Sequence, residues 1–280
     1  TIKKTLKNYE NSSKHISVEY KDTKLNPYFY ADYTDSAPTS NSLIVVNKKT
    51  NKSKVVDYNN IYEADTSSYY TTGSTSYTGY DCEGQLDSAI SYVLSDKNPV
   101  VYQITGHDEI GMGSKFSDAI SKMNCDVEEI KLASMDSLSV DDCEMIMILG
   151  PTKDYSKDEA QKVIDYLNAG GKAIIACEAY KSAQTDKPNF ESILEAFGVK
   201  VVEGVIAEND TDFYSNQYGP FFTFANGSGS FASGIDNYII APYAKGLQQA
   251  NKDDSSITYT SLATTSKAVS KTHLKSAKKY

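Results

Sequence analysis

The sequence predicts an α/β fold: a doubly wound, mostly parallel sheet preceded by a small α+β unit. Three observations carry this. From residue 82 to 203, short aliphatic runs alternate with stretches whose apolar residues fall at helical spacing. Met145-Ile146-Met147-Ile148-Leu149 is apolar throughout, as a strand covered on both faces must be. Ser156-Lys157-Asp158-Glu159 is a capping box that opens one helix, and Gly170-Gly171 closes it.

The elements follow in order. Residues 1–13 read as a helix with Ile2, Leu6 and Tyr9 on one face, and Ile16 to Tyr20 alternates like a strand. Asn26-Pro27 breaks the pattern. Residues 42–46 and 53–57 flank a polar, lysine-bearing loop and read as a β-hairpin. These make a small α+β unit over 1–62. The Ser/Thr/Tyr-rich stretch 63–81 reads as a linker or long loop. An alternative use for it is a tyrosine platform of Tyr69, Tyr70, Tyr77 and Tyr80 that stacks a sugar or peptide, a capture role the tyrosine-rich segment 213–224 would share.

The doubly wound domain spans 82–266. Leu86, Ala89, Ile90, Val93 and Leu94 mark a helix, followed by strand 100–105, helix 114–123 and strand 126–132. Strand 145–149, a helix with Ala160, Val163, Ile164 and Leu167 inward, strand 172–177, helix 189–197 and strand 199–203 continue the alternation. Residues 210–234 read as an irregular excursion, and 237–241 and 257–262 as strands that extend the sheet. The tail 267–280 is basic and expected to fray.

Composition narrows the function. Net charge is −9 and every one of the 28 basic residues is lysine. Specific nucleic-acid sites lean on arginine's planar fork, so no nucleic-acid partner is expected. The acidic balance opposes docking on an anionic membrane. No apolar run approaches the ~20 residues of a membrane span, and no signal peptide is visible. The chain lacks an initial methionine, so flanking targeting or membrane segments are expected outside it. The absence of tryptophan beside 22 tyrosines suits a secreted or cell-surface domain. Cys82, Cys125, Cys143 and Cys177 include no C-x-x-C pair, which argues against zinc. Cys125 and Cys143 each precede a strand. In a 2-1-3 strand order these strands lie roughly 10 Å apart, so no disulfide is expected between them.

The chemistry centres on Val100 to Glu109, where a β-branched strand ends in Thr105-Gly106-His107-Asp108-Glu109. In an open α/β sheet, ligands bind beyond the carboxyl ends of the strands. That rim gathers His107, Asp108, Glu109, Lys153, Asp154, Cys177, Glu178 and Tyr180. A cysteine nucleophile needs an activating base, and His107 is the candidate partner for Cys177. Yet Ile175-Ala176-Cys177-Glu178-Ala179 lacks the glycines of a nucleophile elbow, and Glu178 disfavours a thiolate. His107 and Glu109 with Asp154 or Glu178 have the donor atoms for a metal, although a histidine in such a loop more often fixes the turn. Gly106-x-x-x-x-Gly111 mimics a P-loop, but Met112 stands where lysine is required. Gly111-x-Gly113 lacks the third glycine of a dinucleotide fingerprint. No cofactor is expected. A non-catalytic ligand- or partner-binding crevice is the reading left standing.

Several stretches resemble one family, the auxiliary component of gliding-motility-type ABC transport systems. They are Glu83 to Ile90, Thr105 to Glu109, Leu149-Gly150-Pro151-Thr152-Lys153-Asp154 and Tyr166 to Lys172. The strand-like Ile16–Tyr20 with Asn26-Pro27 is similar to the family's front subdomain. The family usually carries Thr-Gly-His-Gly-Glu, from which Asp108 departs. The resemblance implies a sheet like that of class I glutamine amidotransferases joined to a partial thioredoxin-like unit. It also implies partnership with an ABC permease and ATPase, a place on the extracytoplasmic face of a bacterial membrane, and no established catalysis. A small-molecule, glycan or peptide ligand is compatible with it.

Overall fold

The computed structural model describes residues 1–65, 73, 76–177, 186–229, 232–233, 238–250 and 256–272. It divides into two compact units, Thr1–Pro99 with Gly113–Asp126, and Val100–Met112 with Val127–Tyr280.

The first unit opens with the helix Ile2–Ser12. Strands β1 (Leu43–Val46) and β2 (Ser53–Val56) form the expected antiparallel hairpin. Its loop closes through Asn47 N–H to Lys52 O at 2.9 Å, with Asn51 in the left-handed region at φ 61°. After one helical turn, Tyr58–Ile61, come β3 (Tyr62–Asp65) and β4 (Ser76–Tyr80), also antiparallel. Helices Cys82–Leu94 and Ser114–Lys122 belong to this unit too. Val56, Ile61, Cys82, Leu86 and Ala89 are its buried core, flanked by Ile2, Leu6 and Tyr9, the face read from the sequence.

Two expectations fail in this unit. Ile16–Tyr20 forms no strand; the Val18 N–H instead bonds the Glu10 carboxylate at 3.0 Å. The ends of 63–81 are not loop. Tyr62 pairs with Tyr80, and its ring meets those of Tyr77 and Tyr80 at 5.2 and 5.1 Å. Cross-strand aromatic contact of this kind stabilises a hairpin that lacks aliphatics. Tyr69 and Tyr70 lie outside the described residues.

The second unit is built on β5 (Val100–Ile104), β6 (Asp126–Ile130), β7 (Met145–Leu149) and β8 (Ala173–Ala176), in the order β6-β5-β7-β8. The first three strands therefore sit 2-1-3, and β5–β7 and β7–β8 are parallel. Ile146, Met147 and Ile148 are fully buried, as the unbroken apolar run requires. Helix Lys157–Asn168 begins at the capping box and sends Ala160, Val163 and Tyr166 into the core. At Gly171 a Cβ would come within 2.2 Å of the Tyr166 ring, which explains the glycine there. Helix Pro188–Ala196 adds Phe190 and Ile193 to the same core.

Among the described residues the parallel sheet has four strands. The remaining strands are β9 (Val199–Val201), β10 (Val205–Ala207), β11 (Tyr214–Ser215), β12 (Gly219–Gly227), β13 (Ile239–Pro242), β14 (Leu247–Gln249), β15 (Ala263–Thr264) and β16 (Ser270–Thr272). β9 pairs antiparallel with β14, and β13 pairs with β12, so neither extends the parallel sheet. The stretch 210–234 holds a nine-residue strand, β12. Its phenylalanines suit a pleated, half-buried surface better than a loop. Residues 257–262 form no strand; Tyr259 is held by its hydroxyl, which donates toward Phe197 O and Gly198 O at 3.3 and 3.1 Å. The tail is ordered at its start, where β16 pairs with β10.

Glu208 fixes the region around β10. Fully buried, it accepts bonds from the N–H groups of Asn209, Asp210 and Ser266 and from the Ser266 hydroxyl, at 2.7–3.1 Å. Burial alone would raise its pKa, but these donors hold it below the ordinary carboxylate value.

Candidate functional site

The loop after β5 lies where the strand order reverses, between β5 and β7. Gly106 turns the chain at φ 123°, a conformation that side chains rarely adopt. Asp108 follows at φ 55°, in the left-handed region where glycine is at ease. The loop is tied to the strand beside it. Ile110 N–H donates to Leu149 O at 2.8 Å, and His107 O accepts from the N–H groups of Thr152 and Lys153 at 3.0 and 3.1 Å.

His107 is turned inward. Its ring lies on Tyr155 at 4.0 Å. Nδ1 is buried 3.4 Å from Glu109 Oε1 without hydrogen-bond geometry, and Nε2 is 3.3 Å from Glu159 Oε2. Glu109 folds back to accept the His107 N–H at 2.7 Å and the Tyr155 hydroxyl at 2.8 Å. Only 2% of the Glu109 side chain is exposed, against 13% for His107, so neither presents itself to a substrate. Burial, then the adjacent Glu109 carboxylate, push the Tyr155 phenol far above its ordinary range. For Glu159, burial acts upward, but the Ser156 N–H and hydroxyl and the neighbouring His107 outweigh it and lower the pKa.

The other rim residues divide. Asp108 and Lys153 form a 3.0 Å ion pair, both more than half exposed. Asp154 caps helix Pro188–Ala196 from outside: its carboxylate accepts from the N–H groups of Asn189 and Phe190 at 3.2 and 2.9 Å and from Asn189 Nδ2 at 2.9 Å. Glu178 and Tyr180 lie outside the described residues. Burial pushes the Cys177 thiol up, although Lys187 and Lys245 oppose the shift. The nitrogens of His107 face Glu109 and Glu159, so the cysteine–histidine pairing weighed from the sequence has no support in this geometry. Among the described residues, no three His, Cys, Asp or Glu side chains converge as a metal site.

Sequence reasoning missed Tyr155 and Lys187. Tyr155 is 2% exposed and Lys187 also 2%, its ammonium donating to Pro151 O at 2.5 Å. Tyr155 directly precedes the capping box, the hydrophobic-staple position, so a signal for its burial existed. A buried lysine has no comparable signature.

Among the described residues no helix is long and apolar enough to cross a membrane. No curated protein matches the sequence. A solved structure titled "mmIFT52 N-terminal domain" aligns at 16% identity over 61% of this chain and 74% of its own, with a TM-score of 0.46. Residues 98–272, from the start of β5 through β16, match the family described as "ABC-type uncharacterized transport system". The chain belongs to that family, the auxiliary components of ABC transport systems.

Proposed function

We propose that this chain is a non-catalytic binding and scaffolding domain of an ABC transport system, acting on the extracytoplasmic side in association with a permease and, through it, an ATPase. In this reading the parallel sheet is a relative of the class I glutamine amidotransferase sheet that has kept the strand-end rim and carries no nucleophile there. A partial thioredoxin-like unit precedes it, and flanking segments anchor it, as in gliding-motility-type systems.

The supporting observation is the inward locking of His107 and Glu109. The two residues best suited to chemistry face Tyr155 and Glu159. What the rim offers outward is the exposed Asp108–Lys153 pair, a contact for a partner's polar surface. Co-purification of the epitope-tagged protein from its native membranes tests this. Mass spectrometry is expected to identify ABC permease and ATPase subunits, with recovery reduced several-fold by the double charge reversal Asp108→Lys/Lys153→Glu. Recovery of neither subunit overturns the reading.

A further inference from the structure

The outer face of the β11–β12–β13 sheet carries a row of aromatic rings with no part in the loop network. Along β12, Thr223 and Ala225 are buried at 1% and 6% exposure, so Phe222 and Phe224 point to the opposite face. Their register partners on β13 are Pro242 and Ile240. Tyr238, two residues before Ile240, lays its ring nearly parallel to Phe224, at 5.7 Å and 14°. Tyr218 meets Phe222 at 4.9 Å. Tyr218, Tyr238 and Ile240 are 61%, 50% and 58% exposed, and Phe222 and Phe224 between them are half-buried, so the row is open to solvent at its tyrosines. Contiguous exposed apolar surface of this kind marks an interaction site.

We infer that this face binds a neutral polysaccharide. The charge pattern selects the occupant. The chain has a net charge of −9, yet the face positions on β12 and β13 (Pro220, Phe222, Phe224, Asn226, Ile240 and Pro242) include no charged residue. A nucleic acid or other charged polymer finds no counter-charge there. Side-chain chemistry selects further. Rings accept the C–H faces of sugars, while the tyrosine hydroxyls and the exposed Asn226 amide suit sugar hydroxyls. Two residues of strand set Phe222 and Phe224 about 7 Å apart, a spacing that suits an extended glycan better than one compact ligand. This site is separate from the rim, and its failure leaves the transport reading untouched.

The test is affinity electrophoresis of the intact protein through gels containing neutral glucan, galactan or mannan, with hyaluronate as the charged control. Retardation is expected with at least one neutral polymer and not with hyaluronate. Tyr218→Ser and Tyr238→Ser replace exposed rings and are expected to leave the melting temperature unchanged while weakening retention about tenfold. Lys153→Glu, on the rim, is expected to leave retention unaltered. No retention by any neutral polymer, equal retention of both tyrosine variants, or retention by hyaluronate alone would overturn the assignment. So would concentration-dependent self-association abolished by Tyr238→Ser, which would give the face to a second copy of the chain.

Discussion

The imidazole of His107 lies flat against the phenol of Tyr155, their centroids 4.0 Å apart and their planes 14° from parallel. The same phenol donates to Glu109, two residues beyond the histidine. One buried tyrosine thus serves both ends of the loop. Removing its hydroxyl in Tyr155→Phe leaves a buried carboxylate oxygen short of a donor, a loss of about 1–3 kcal/mol. Tyr155→Ala also opens a cavity and is expected to cost about 3–5 kcal/mol. Urea denaturation of the two variants checks the order, and equal costs would contradict it.

Acid should loosen the protein through Glu159 and Glu208. Both are held below the ordinary value of 4.5 in the fold. The sign follows: a lowered carboxyl pKa gives stability that is fully present above the unfolded value and is lost as pH falls through the folded one. Melting temperature is expected to fall progressively as pH drops below about 5, and less steeply in Glu208→Gln, whose unfolding no longer takes up that proton. A parallel curve for the variant would remove Glu208 from the account.

Asp108 offers a test of backbone cost. A left-handed residue other than glycine is strained by about 1–2 kcal/mol, and an exposed ion pair such as Asp108–Lys153 returns about 0–1 kcal/mol. Asp108→Gly is therefore expected to be neutral or to stabilise by up to about 1 kcal/mol. Asp108→Val should destabilise by at least that much. Thermal melts of the two variants decide it.

Gly171 and Gly111 form a matched pair. A Cβ at Gly171 meets the Tyr166 ring, whereas one at Gly111 meets nothing within 4 Å. Gly171→Ala is expected to cost about 1–3 kcal/mol through displaced core packing, and Gly111→Ala less than about 0.5 kcal/mol. Chemical denaturation compares them directly.

Burial raises the Cys177 thiol, so iodoacetamide is expected to label it slowly in the folded protein and quickly after unfolding. Mass mapping of the alkylated peptide reads the difference, and rapid labelling of the folded chain would reopen the nucleophile hypothesis.

The parallel sheet was legible because its signals are local. Met145–Leu149 announces a doubly covered strand, and Ser156 to Glu159 announces the helix that follows. Among the described strands beyond residue 204 the reading anticipated β13, as 237–241, but not its pairing with β12, because a strand's partner is not written in its local pattern. Nothing near Val199 says that it will pair with Gln249 instead of joining β8. At the site, sequence placed His107, Asp108 and Glu109 in the loop after β5. It could not tell which faced inward. That depended on Tyr155 and Glu159, some 50 residues on, and on a φ of 55° that throws Asp108 outward between two buried neighbours.

Helix Pro188–Ala196 has a lysine at its own N-cap position and no local side-chain cap. Its cap is Asp154, 35 residues earlier in the chain. A nine-residue helix is too short to persist alone, and this one receives its terminal hydrogen bonds only once the loop after β7 is in place. The helix start and the loop after β7 are therefore coupled: whatever displaces Asp154 also uncaps the helix.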